Sequence, residues 1–474
     1  MMTSIVLLGY AVLLVALGAI ISVRVRETGD FYVAGRRLGP GFLFATLLAA
    51  NIGAGSTVGA TGLGYRLGLS AWWWVGSAGI GSVILALTVG PRIWRIARAH
   101  NLYTVGDYLE LRFDRRVRGT AGLLLWLASM AILAGQYIAV AWILNVTLGF
   151  GKTAGCLIAA LVTTAYFAAG GLHTSARVNV LQLAVKLLGF SLAFAYLWRF
   201  GNGRIWVEAA SRHAETGPAG YVSLVGAGTS AILGYILILV PSFVVSPGIL
   251  QKVFAARDEK AVRLGVGINA AGLLAFALIP PLLGAVARGR FPWLDNSELA
   301  LPMLLSHALP LWLGGLLLGA IFSAELSAAD AVLFMLTTSL TRDFYQTYIR
   351  PQAGDRDLLR IARIVTAACG AVGALLAALL PSVISALTVF YSVLTAALLF
   401  PVIAGLYLAS TSARGALLTM IVSVATTLAA EVAGHNAGAF VIPSPILGLI
   451  IGALVLAVVT GMELRGKRAA GVKD

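Results

Sequence analysis

Apolar runs of about 20 residues, the length that crosses a bilayer as a helix, recur from one end of this sequence to the other. No other feature restricts the fold as much. Strands of a membrane barrel alternate apolar and polar residues over segments of about 10; these runs are longer and do not alternate. Only 11% of the 474 residues are charged, against roughly 25% in a soluble domain, so most of the chain contacts lipid or its own interior. The runs predict an all-α membrane protein with 13 spans, near 4–22, 41–62, 70–91, 119–147, 153–170, 177–198, 225–248, 264–287, 311–338, 361–380, 383–408, 413–431 and 441–461. No linker between them can hold a soluble domain, so residues 1–474 read as a single transmembrane domain. The first run lacks a basic leader and is followed by Arg24 and Arg26, which marks a retained span rather than a cleaved signal.

The net charge of +15 does not point to nucleic acid, because the basic residues sit in short loops between apolar runs. There they act as topology signals. With the N-terminus outside, the cytoplasmic loops carry 26 Lys and Arg and the opposite loops 7, the last of the 34 being Lys186 inside the sixth span. This asymmetry predicts a multi-pass protein of the cytoplasmic membrane, N-terminus outside and C-terminus inside. Cys156 and Cys369 lie inside apolar runs, without the spacing of a metal or disulfide framework. The five histidines lack ligand spacing as well, so no metal or cofactor other than a coupling ion is expected.

Charges deep in spans are few, and each is a functional candidate by default. They are Lys186, Glu325 and Asp330, with Glu431 at a span end. Two spans also read as interrupted. The second holds Asn51 to Ser56 and then Gly59, Gly62 and Gly64, and the seventh holds Pro241, Ser242, Ser246, Pro247 and Gly248. Glycine at that density weakens a helix, and proline removes a backbone donor and clashes with the turn before it. Irregular backbone at membrane depth is tolerated where it lines a cavity. A pair of such breaks in corresponding halves marks an inverted-repeat transporter with its site at the midplane.

At these residues the chain resembles the sodium:solute symporter family, which has a LeuT-type fold. The matching pieces are Phe31 to Leu38, Ala49 to Ser56 followed by Gly64 and Tyr65, Thr104 to Leu109, Gly170 to Leu172 with Gln182, Gln251 with Ala255 to Arg257, Ser327 to Asp330, Thr341 to Tyr345, and Pro401 to Leu406. The resemblance implies a five-plus-five inverted repeat, the first within 41–200 and the second within 220–410. An extra N-terminal helix and loop (1–40) and C-terminal helices and tail (411–474) flank them. It also implies a sodium site between the second and ninth spans, built from carbonyls of Ala49, Ile52 and Ala324 and hydroxyls of the pair at Ser327 and Ala328. The family usually has two hydroxyl residues at that pair, and here the second is alanine. Where the family often has an aspartate on the sixth span, this chain has Asn179.

Asn179, Gln182 and Lys186 fall on one helical face over about 10 Å of rise. Ser327 and Asp330 likewise share a face, from which Glu325 points away. Three uses of Lys186 remain open. Its ammonium replaces or competes with sodium, with Asp330 or Glu325 as counter-charge; it pairs structurally while sodium still drives transport; or it reaches water. Asn51, Ser56, Thr57, Gln136, Ser242 and Tyr391 are candidates for lining a central substrate site. Trp72, Trp73 and Trp74 read as an interfacial belt.

No nucleotide loop, HExxH or nucleophile motif occurs where it could act, so the chain is not expected to be an enzyme. It reads as a secondary transporter moving a small organic solute by alternating access, sodium-coupled, or proton-coupled and sodium-independent if Lys186 takes the ion's place. A solute sensor using the same fold is the other class, disfavoured by the mere 12 or so residues after the last span. The lipid bilayer is the expected surrounding, and no obligatory protein partner is called for.

Overall fold

The computed structural model describes residues 36–170, 173–214, 216–350, 352–437 and 443–469; the predicted first span lies outside them. Helix α1 (Pro40–Asn51) is followed by a π-helical turn (Gly55–Gly59) and α2 (Ala60–Leu67). A 3-10 turn leads into α3 (Trp72–Ile84), and a second π turn into α4 (Gly90–Ala99). Then come α5 (Val105–Arg112), α6 (Arg115–Leu148), α7 (Lys152–Gly170), α8 (His173–Arg199), α9 (Gly203–Arg212) and α10 (Gly217–Tyr221). The second half holds α11 (Thr229–Val245), α12 (Pro247–Phe254), α13 (Glu259–Phe276), α14 (Ile279–Arg290), α15 (Ala300–His307) and α16 (Leu311–Thr338). Helices α17 (Asp355–Leu379), α18 (Val383–Tyr407), α19 (Ala413–Ala437) and α20 (Ser444–Ala469) complete it.

Nine stretches among the described residues are long and apolar enough to cross a membrane, or ten if α8 and α9, bent by 82°, form one broken span. The predicted 13 spans map differently onto these because breaks change apparent length. Helix α1 has 12 residues and is too short alone, whereas Gly55–Ala99 runs as one 45-residue stretch. That stretch turns at Gly68, whose φ of +63° a side chain rarely adopts. A Cβ there would also lie 2.0 Å from the Tyr221 carbonyl.

Helix α6 is the central post, packed on α7, α16, α17 and α18. Helix α1 lies between α8 and α13, and α19 and α20 lean together on the outside of α18. Outward leucines such as Leu127, Leu161, Leu188, Leu375 and Leu454 are exposed, as suits residues facing acyl chains. Where α2 crosses α14 the backbones nearly touch: a Cβ on Gly284 would sit 2.1 Å from the Thr61 carbonyl. Close approach through small residues is how membrane helices gain packing without a hydrophobic driving force between them. Gly284→Val is therefore expected to lower stability by about 1–3 kcal/mol, read as a drop in the thermal midpoint of the purified protein; an unchanged midpoint would contradict this packing.

At the end where α1 begins, the chain is tied to the loop after α12. Leu38 N donates to Ala255 O (3.1 Å) and Arg257 N to Leu38 O (3.0 Å). Lys252 Nζ donates to Thr46 O (2.9 Å), and Arg36 donates to the carbonyls of Ala97 and Leu102 (3.0 Å each).

Candidate functional site

Both expected interruptions are present. Helix α1 stops at Asn51, Ile52 leaves helical geometry (φ −93°, ψ 88°), and winding resumes as the π turn at Gly55. Helix α11 stops at Val245, Ser246 is extended (φ −56°, ψ 122°), and α12 starts on Pro247. A broken helix leaves backbone groups unpaired, and burial requires each to find a partner.

At the first break the partners come from side chains. Gly53 N donates to Ser56 Oγ (3.1 Å) and Ala54 N to Gln136 Oε1 (3.2 Å). In a continuous helix these amides would serve the carbonyls of Ala49 and Ala50. Ser56 Oγ lies 3.0 Å from Asn51 O. The carbonyl of Ile52 accepts a hydrogen bond of 2.6 Å from Lys186 Nζ on α8. Thr57 Oγ1 donates to Glu325 Oε1 on α16 (2.8 Å). Lys186 is 4% exposed and Glu325 0%, and their opposite charges act on one another. A Cβ on Gly53 would sit 3.6 Å from Ala328 Cβ, so α16 flanks the first break. On α16 Ala324 is buried and Ser327 half-buried, and Ala49 on α1 is half-buried.

At the second break, Ser242 Oγ lies 2.7 Å from Ile238 O, 3.0 Å from Tyr391 O and 2.5 Å from Thr395 Oγ1. Aromatic rings bridge the two breaks. The Trp74 ring meets Tyr235 (5.6 Å) and Tyr391 (6.2 Å), Tyr391 meets Phe243 (5.9 Å), and the Trp74 indole nitrogen lies 3.4 Å from where a Gly55 Cβ would be.

The structure sorts the expected residues. Of the two proposed counter-charges, Glu325 is the one whose charge acts on Lys186, with no ion pair between them within 4.0 Å; Asp330, with Oδ1 buried and unpaired among the described residues, acts instead on Tyr137. The side chains of Asn179 and Gln182 lie outside the described set. Asn51 (to Asn269 Oδ1, 3.2 Å), Ser56, Thr57, Gln136 and Ser242 all hold internal partners. The belt reading of the tryptophans fails for Trp74, which is 4% exposed and faces the aromatic cluster. One buried carboxylate escaped the sequence reading because it sits in a polar loop. Glu298, 3% exposed, accepts from Trp142 Nε1 (2.9 Å) on α6 and from Val383 N (2.7 Å) at the start of α18. Burial pushes its carboxyl up from the usual range, against the lowering pull of those two hydrogen bonds.

Two half-helices meeting at a polar, side-chain-supported junction inside an all-helical membrane domain define a secondary transporter. The comparisons with known proteins agree. The chain belongs to the sodium:solute symporter family, whose profile matches residues 31–423. It is 28% identical to the sodium/pantothenate symporter of Escherichia coli K12, over 93% of each chain. It is 24% identical to the sodium/glucose cotransporter of Vibrio parahaemolyticus, covering 84% of this chain and 78% of that protein. Among solved structures, a Na+-coupled sialic acid symporter superimposes with a TM-score of 0.74 at 19% identity, over 97% of this chain and 96% of the other. The fold is thus the LeuT-type arrangement of that class.

Proposed function

We propose that this chain carries a small organic solute across the cytoplasmic membrane by alternating access, driven by the sodium gradient, with its N-terminus outside and C-terminus inside. The observation that carries the reading is the pair of breaks at 52–54 and Ser246, joined by the aromatic cluster around Trp74 and Tyr391. The aromatic cluster is the solute wall in this reading. Tyr391 is half-buried and its hydroxyl has no hydrogen bond among the described residues, so it is the polar group best placed to meet a solute. Asn51, Ser56, Thr57, Gln136 and Ser242 keep the breaks in shape. In corresponding roles, 41–200 and 220–410 form the two repeats.

The test is uptake into proteoliposomes under an inward sodium gradient, with N-methylglucamine as the replacement cation. Labelled pantothenate, glucose, choline, amino acids and short carboxylates form the panel, the first two after the named relatives. At least one solute should accumulate above protein-free vesicles, and Tyr391→Phe should raise its KM several-fold. Binding of panel members without flux would instead identify a sensor.

A further inference from the structure

The resemblance places a sodium ion at the Ile52 carbonyl, and in this chain that carbonyl already has a cation on it. We propose that the Lys186 ammonium is the resident cation of the first break, so that this position holds no metal ion and the driving sodium binds elsewhere. The inference rests on the transporter reading above, and sharpens its ion side.

Three observations converge. Lys186 Nζ donates to Ile52 O at 2.6 Å, from a different helix and 134 residues away, while buried to 4% exposure. The carboxylate whose charge acts on it, from beyond ion-pair distance, is Glu325, which accepts from Thr57 of the π turn. The oxygen set is also short by one, since Ala328 stands where the family has a hydroxyl, and Ala328 is the α16 residue that meets Gly53. A positive charge seated on the Ile52 carbonyl occupies the oxygen a sodium ion would otherwise need there. Two positive charges within about 4 Å in a water-poor interior repel strongly, so the ammonium and a sodium ion exclude one another here.

The experiment uses the sodium ion alone, on the purified full chain. Thermal stability and 22Na+ binding are compared in NaCl and KCl at equal ionic strength for wild type, Lys186→Ala, Lys186→Ala with Glu325→Gln, and Ala328→Ser. Lys186→Ala should gain a sodium-specific response over wild type. At sodium ten times its Kd, the folded-to-unfolded ratio rises about tenfold. The gain should vanish when Glu325→Gln is added. Ala328→Ser in the presence of Lys186 should leave the wild-type sodium response unaltered, a result independent of how well the lysine variants fold. An unchanged or smaller sodium response in Lys186→Ala, or a larger one in Ala328→Ser alone, overturns the proposal. Loss of solute flux with the sodium pattern intact would count against the transport reading and not against this one.

Discussion

In sodium-free buffer, Lys186→Met is expected to destabilise the folded protein by about 3–5 kcal/mol, the usual penalty for removing one partner of a buried charge pair. Methionine keeps most of the volume, so packing is a minor part of the loss. What remains is the Glu325 carboxylate, 0% exposed, with Oε2 buried and unpartnered and a single hydroxyl, Thr57, on Oε1. The Ile52 carbonyl loses its donor as well. Adding Glu325→Gln removes the orphaned charge and should restore much of the stability, since a buried pair is worth little relative to a neutral replacement of both members. Denaturant or thermal unfolding of the two single variants and the double forms a cycle whose interaction energy isolates the pair. Additive losses in the double variant, or a single-variant loss under 1 kcal/mol, would show that the two groups do not support each other.

The second large effect is expected at Glu298. Its carboxylate accepts from the Trp142 indole and from the Val383 amide, the first amide of α18. Glu298→Ala leaves both donors buried without acceptors. At about 1–3 kcal/mol for each orphaned group, the loss is roughly 2–6 kcal/mol, with a further few tenths from the negative charge at a helix N-terminus. Glu298→Gln tests the geometry more finely. Both partners donate, so an amide can satisfy one and must turn its NH2 toward the other. Its penalty should therefore fall between wild type and alanine. Equal unfolding midpoints for the glutamine variant and wild type would mean that only one of the two contacts matters.

The parts of the molecule that were legible from residue order are those governed by local chemistry. Glycine density after Asn51 and prolines around Ser246 located both breaks, because each weakens a helix whatever surrounds it. Helix α16 matches the ninth predicted span end for end. Lys186 stood out as the single basic residue inside a span. Its partner did not, because Ile52 O becomes available only through a break on another helix, and no spacing rule connects positions 52 and 186. Glu298 looked like an ordinary loop acid between Ser297 and Leu299; its burial comes from α6 and α18 closing over it. Three consecutive tryptophans resembled a lipid anchor, yet residues 100° apart on a helix cannot share one face. One of them, Trp74, turns to the interior.

The ties between the start of α1 and the loop after α12 have a mechanical consequence. Two backbone hydrogen bonds at Leu38 join the ends of the two short half-helices that lie away from the breaks, and Lys252 grips α1 at Thr46 in its middle. Each half-helix has its own pivot, at 52–54 and at Ser246, but neither can swing freely while its far end is laced to the other. Rotation of one pulls the other along the same arc. A departing cargo at that end would thus meet a single two-leaf gate with a common stroke, and severing the lacing would let the leaves open out of step.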